Sequence, residues 1–157
     1  MKKWIVISVL TVVVILGLTI KVYLKAVDPV KAAENRSMTI AKEQTDLVTT
    51  EEFNIYNGSK SYSVIVGKNS DDEKIIIWVP EDSENIFVRR ASEGITKEKA
   101  IEKLYEKKNP SEVISVRLGM ENSTPLWEIN YRTNDNLLNY YYVDFITGEW
   151  LKDIENL

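Results

Sequence analysis

The chain reads as an α+β protein: an apolar N-terminal helix followed by two small units, each a helix laid on an antiparallel sheet. Three observations predict this. The first 25 residues hold a long charge-free run. Two helix-start signals further on are each followed by short, alternating strands. Finally, "SYSVIVGKNSDDEKIIIWVP" and "LWEINYRTNDNLLNYYYVDF" set an aromatic-alternating strand, a polar turn and a second strand at nearly the same spacing, an internal repeat. The expected division is 1–25 for tail and anchor, 26–92 for the first unit and 93–157 for the second. Units of about 60 residues have marginal cores, so the two are expected to pack together.

The opening "MKKWIVISVLTVVVILGLTIKVYLK" places Lys2 and Lys3 before a charge-free run from Trp4 to Ile20. As a helix, Trp4–Leu24 extends roughly 31 Å, about the hydrocarbon thickness, with Lys21 snorkelling and Trp4 and Tyr23 near the interfaces. The run is longer than a signal-peptide core and no small-residue cleavage site follows it. It predicts a single-pass transmembrane helix in the lipid bilayer. The flanking lysines are balanced, and the three-residue tail favours an N-terminus in the cytoplasm with all later residues extracytoplasmic.

Asp28-Pro29 reads as a helix start, Asp as N-cap and Pro at the first helical position. The helix is expected to run to about Leu47, with Ala33, Ser37, Ile40, Ala41, Gln44 and Leu47 on one weakly apolar face. Strands follow at "EEFNIY", "SYSVIVGK" and "KIIIWVP", the first two joined at Asn57-Gly58, where both turn positions tolerate positive φ. A second helix is capped by Thr96, with Ile95 and Ala100 as a staple and Ala100, Ile101, Leu104 and Tyr105 as its buried stripe. Strands recur at "EVISVRLG", "PLWEINYR", "NYYYVDF" and "EWLKDI". In the last hairpin Asp144 ends a strand and accepts turn N–H groups, Phe145 and Ile146 fill a type I turn, Thr147 follows, and Gly148 takes the left-handed position. Tyr141 is expected on one face, Tyr140 and Tyr142 on the other.

Composition narrows the chemistry. The chain has no Cys and no His, which removes disulfides, thiol and imidazole catalysis and the usual zinc ligand sets. Beyond Lys25, 16 Lys and Arg face all 24 Asp and Glu, a balance of −8, so nucleic acid is not an expected partner. The acidic groups Glu81-Asp82 and Asp71-Asp72-Glu73 read as solvated turns without the spacing of a calcium loop. Thr96-Lys97-Glu98-Lys99 has the outline of a nucleophile–x–x–lysine motif, but a helix cap explains it and no partner motif accompanies it. A catalytic Asp144 would need a second acid or base opposite, and none is indicated.

The hairpin carries a resemblance. "LWEINYR" followed by "YYYVDFITGEWL" is similar to the closing hairpin of PepSY domains, in which a Trp-bearing strand leads to a strand ending in Asp-x-x-Thr-Gly, here Trp127, Asp144, Thr147 and Gly148. Together with the apolar segment, "TDL", "WVP" (with Trp78 and Pro80) and "EGI", the whole chain resembles the TseB-like (YpmB) cell-wall elongation regulators of Gram-positive bacteria. The resemblance implies a bitopic membrane protein with two PepSY-like, cystatin-like units outside the cell, no enzymatic activity, no catalytic, cofactor or metal residues, and regulation of peptidoglycan synthesis by contact with a class B penicillin-binding transpeptidase. PepSY units also occur in protease propeptides, so an anchored regulator or inhibitor of an extracytoplasmic peptidase stays open, as does a structural spacer.

Overall fold

The computed structural model describes residues 2–82 and 85–155, apart from the side chains of residues 2, 5, 6, 8, 9, 23, 24, 26 and 27. In chain order the elements are α1 (Lys2–Gln44), β1 (Leu47–Asn57), β2 (Ser61–Asn69), β3 (Lys74–Pro80), β4 (Phe87–Arg90), a 3-10 turn (Ala91–Glu93), α2 (Lys97–Lys107), β5 (Glu112–Glu121), β6 (Thr124–Arg132), β7 (Leu138–Asp144) and β8 (Trp150–Ile154). They fall into two compact units, Met1–Arg36 and Ser37–Leu157.

Within Met1–Arg36 the chain is helical from Lys2, with Pro29 inside the helix. Asp28-Pro29 is therefore not a helix start. A proline ring removes one backbone donor and crowds the carbonyl four residues earlier, a local cost that a long helix on both sides absorbs. Among the described residues no helix is long and apolar enough to cross a membrane. The expected transmembrane helix over Trp4–Leu24 is thus not supported, and several of its side chains lie outside those described. Its charge-free part runs to Ile20, roughly 25 Å of helix, and Lys21 and Lys25 follow.

Ser37–Leu157 contains two four-stranded antiparallel sheets, ordered β1-β2-β3-β4 and β5-β6-β7-β8. Each is a meander in which every strand pairs with its sequence neighbour. Period-2 alternation sends each strand's side chains to two apolar faces. One face of each sheet joins a shared core containing Tyr56, Val64, Val66, Ile76 and Trp78 from the first sheet and Leu118, Met120, Leu126 and Tyr142 from the second, with Phe145 from the turn after β7. The other face of the first sheet (Ile65, Ile75, Ile77, Val79) packs with Ile40 and Ala41 from the end of α1. That of the second (Ile129, Tyr131, Tyr141, Val143) packs with Ala100 and Leu104 of α2. The layers run helix, sheet, sheet, helix. Tyr141 and Tyr142 lie in different cores, as alternation requires.

Several local expectations are revised. Leu47 opens β1 rather than ending the helix, because Thr45 donates to the Ala41 carbonyl from both backbone and hydroxyl and receives the Leu47 N–H, which stops α1. The hairpin at Asn57-Gly58 turns over residues 58–60, since Asn57 still pairs with Ser61. Neither Asn57 nor Gly58 has positive φ; the two-residue turn with positive φ at both positions is Asn122 (49°) and Ser123 (63°), between β5 and β6. Tyr105 is exposed, so α2 buries a narrower stripe than expected. The four-residue β4, paired only to β3, is an additional edge strand.

Candidate functional site

The last hairpin is held by its own polar groups. The Asp144 carboxylate accepts the N–H groups of Ile146 (2.8 Å) and Thr147 (2.7 Å), and the Thr147 hydroxyl accepts from Glu149 (3.1 Å). Gly148 donates to the Asp144 carbonyl (3.0 Å) at φ +72°, a region costly for residues with a Cβ. Asp144 is thus spent as an acceptor in its own turn.

That turn positions Phe145, whose importance the sequence does not signal. Its backbone N–H donates to Pro125 (2.9 Å) and its carbonyl accepts from Ile95 (2.7 Å), tying the approach to α2 onto the second sheet. The fully buried ring meets Trp78 edge-on at 5.9 Å and Trp127 at 6.5 Å. Trp127 donates to the Ile95 carbonyl (3.0 Å) and Trp78 to the Gly119 carbonyl (3.0 Å), so each indole satisfies its N–H. At Gly94 an added Cβ would lie 2.3 Å from the Phe145 ring, which is why the chain passes here on glycine. The structure therefore brings Trp78, Trp127 and Asp144 to one junction around Phe145, with Gly148 against Ile95. Pro80 lies elsewhere, opposite Tyr62 at the end of β3, beside a 350 Å³ depression between Lys60, Phe87 and Asn122.

A polar network crosses between the sheets beside this junction. The Tyr56 hydroxyl of the first sheet donates to Glu121 (3.0 Å), which also receives Lys152 (2.7 Å). Arg117 bonds the buried Glu128 (2.6 Å) and lies over the Tyr56 ring, while Lys152 lies over Tyr142. Burial, reinforced by Glu121, pushes the Tyr56 hydroxyl far above its ordinary range; burial and Glu128 do the same to Tyr142. Both stay neutral at any physiological pH, and every carboxylate here is engaged by a donor. The arrangement is built to hold two sheets together.

Others among the candidates are engaged as well. Thr96 caps α2 by accepting from Lys99 (3.3 Å), and the Lys99 ammonium bonds Glu102 (2.6 Å). Asp72 pairs with Lys68, Glu73 with Arg90 and Asp82 with Lys60. Among the described residues no group of three or more His, Cys, Asp or Glu is placed to hold a metal ion.

A helix on a four-stranded meander, twice over and joined face to face, with the second copy closed by an Asp-x-x-Thr-Gly turn, defines a two-sheet α+β protein whose second half is of PepSY type. The sequence comparisons agree. Residues 36–80 match the "Cell wall elongation regulator TseB-like domain" and residues 94–154 the "Peptidase propeptide and YPEB domain". The chain is 27% identical over 157 residues to the probable cell wall elongation regulator TseB of Bacillus subtilis (strain 168), spanning 98% of each chain. The solved structure of the YpmB protein from Bacillus subtilis superposes with a TM-score of 0.71 at 31% identity, covering 80% of this chain and 95% of that one. This chain belongs to the TseB-like family of cell wall elongation regulators.

Proposed function

We propose that this chain is a non-enzymatic regulator of peptidoglycan elongation, attached to the cell membrane and acting by binding a class B penicillin-binding transpeptidase on its outer side. The observation that carries the reading is the end-to-end likeness to a protein named as a cell wall elongation regulator. The site agrees in kind, because its carboxylates and hydroxyls are consumed in structural bonds, which leaves binding as the mode of action. Attachment is supported by the N-terminal unit, whose described large apolar side chains from Trp4 to Val22 are each more than half exposed. Counting the apolar stem of Lys21 as membrane-compatible lengthens the run to Trp4–Leu24, with the short tail inside the cell.

A membrane tether raises the local concentration of a weak binder to roughly millimolar, so contact and attachment are tested together. In a strain lacking the protein, residues 26–157 expressed without the anchor are expected not to restore normal cell length, while the same residues on an unrelated single-pass anchor restore at least part of it. Full complementation by the untethered form would sink the membrane half of the reading. A second reading rests on the match of residues 94–154 to the peptidase propeptide domain: an anchored peptidase regulator. Affinity capture of the tagged full chain separates the two, a transpeptidase favouring the first and a secreted peptidase the second.

A further inference from the structure

The two sheets do not close on each other everywhere. Where they part, a groove of about 520 Å³ opens between β1 on one side and the start of α2 on the other. Its floor is the half-buried edge of the shared core, Trp127, Val116, Ile95 and Ala91, lying over the buried Val66, Ile76, Leu118 and Phe145. The volume falls within the 300–1,000 Å³ typical of ligand sites.

The polar groups at its walls are sorted. On the β1 wall stand Glu52 and Asn54, and the Asn54 carbonyl oxygen is buried without a hydrogen-bond partner, on a strand face otherwise given to the apolar core. A buried unsatisfied acceptor is destabilising, and a ligand that brings a donor relieves it. On the α2 wall stands Lys97, which forms no salt bridge among the described residues. Its neighbour Glu98 is turned back onto the helix start, where its own backbone N–H and Thr96 hold the carboxyl below the usual range. Lys74 and Arg117 add positive charge but are paired, to Glu51 and Glu128. One wall therefore offers acceptors, the other donors and a free cation, with an aromatic and aliphatic floor between them.

We propose that this groove is the contact surface for an extended peptide segment of the protein partner, one that seats a large apolar side chain on the Trp127–Val116 floor, donates a backbone N–H toward Asn54 and places an adjacent carboxylate at Lys97. A peptide strand supplies these three features at fixed spacing. The acidic surface of the domain gives such a carboxylate few other places to be welcomed, since residues 26–157 carry a balance of −8. The inference rests on the binding role proposed above and assigns it a place.

The test uses the full chain in micelles of neutral detergent and fluorescein-labelled peptides read by anisotropy: Gly-Ser-Leu-Asp-Ser-Gly, and counterparts with Ala for Leu or Lys for Asp. The Leu-Asp peptide is expected to bind saturably, and each counterpart at least tenfold more weakly. Ala91→Trp, which fills the groove from its rim, and Lys97→Glu are each expected to weaken the Leu-Asp peptide at least tenfold. Lys97→Glu should also improve the Lys peptide, a reversal that misfolding would not produce; Lys107→Glu, outside the groove, should change nothing. No saturable binding, or binding indifferent to Leu and to Ala91→Trp, overturns the proposal. In host membranes, crosslinking to the transpeptidase that is equally strong in wild type and Ala91→Trp would overturn the groove as contact surface and leave the partner reading standing. Peptide binding with the full pattern above, but no wild-type crosslink to a transpeptidase, would support the groove and remove that partner.

Discussion

The two helix-on-sheet halves of Ser37–Leu157 share a plan and differ in how each helix meets its sheet. In the second, α2 begins on the spot, capped by Thr96, lies on Tyr131 and Tyr141 through Ala100 and Leu104, and ends at Lys108, whose ammonium bonds Asp153 and Glu155 of the closing strand segment. In the first, the helix arrives from Lys2 without a start of its own, and only its last turns, through Ile40 and Ala41, cover an aliphatic face. One half closes its helix at both ends; the other has a helix that is also the way in from the N-terminal unit. A repeat can thus keep its sheet and core while one copy gives up its helix start to serve as a connection.

If the shared core is the true common element, its damage should exceed that of either helix. Trp78→Ala removes a fully buried indole together with its bond to Gly119, and is expected to cost about 3–5 kcal/mol. Trp127→Ala, at a half-buried position, should cost clearly less; both are read by urea unfolding followed by near-UV circular dichroism. Equal losses would mean that the Phe145 junction, rather than the core, sets stability.

The turn that distinguishes the second half comes next. Gly148→Val places a β-branched residue at φ +72° and is expected to cost about 1–3 kcal/mol. Asp144→Asn keeps an oxygen for the N–H groups of Ile146 and Thr147 and should cost well under half of that. Similar midpoints for the two variants would contradict the turn as described.

The helix starts offer the sharpest contrast at smaller size. Thr96→Ala removes a cap and should cost about 1 kcal/mol, whereas Asp28→Ala, in the interior of α1, should change stability by no more than about 0.5 kcal/mol. A loss of about 1 kcal/mol from Asp28→Ala would restore a helix start at Pro29.

Smallest is the pH response of the Lys108 clasp. The Lys108 hydrogen bond holds the Asp153 carboxyl below the usual carboxylate range. Its folded pKa lies below its unfolded one, so the pair stabilises fully above about pH 4 and loses that contribution as pH falls through the folded value. Thermal unfolding between pH 6 and pH 2 should fall more steeply for the wild type than for Asp153→Asn; parallel curves would show that the clasp contributes nothing.

What the sequence carries well is what is local. The continuous apolar run in "KIIIWVP" marks Lys74–Pro80 as a strand to the residue, and the period of two separates Tyr141 from its neighbours. The Asp144–Gly148 turn is visible because the consecutive residues Asp144–Glu149 make its own bonds. Where a local signal competes with context it misleads: Asp28-Pro29 has the chemistry of a helix start inside a helix, and Asn57-Gly58 that of a tight turn where the strand continues to Asn57. The turn at Asn122-Ser123 lacks the glycine that usually announces positive φ. β4 is four residues stabilised by one neighbour, below what any pattern in Phe87–Arg90 can declare. The junction was least legible, because Phe145 is defined by Trp78, Trp127, Pro125 and Ile95, partners fixed only once two sheets meet.

Tyr56 finds its hydroxyl acceptor 65 residues downstream at Glu121, and Trp78 its partner 41 residues downstream at Gly119. During synthesis the inner face of the first sheet is therefore complete long before anything exists to cover it. At roughly 5–20 residues per second, the interval between Pro80 and Phe145 leaving the ribosome is about 3–13 s. For those seconds a nascent sheet bearing two aromatic anchors has its apolar face open, and only the second half supplies what covers it.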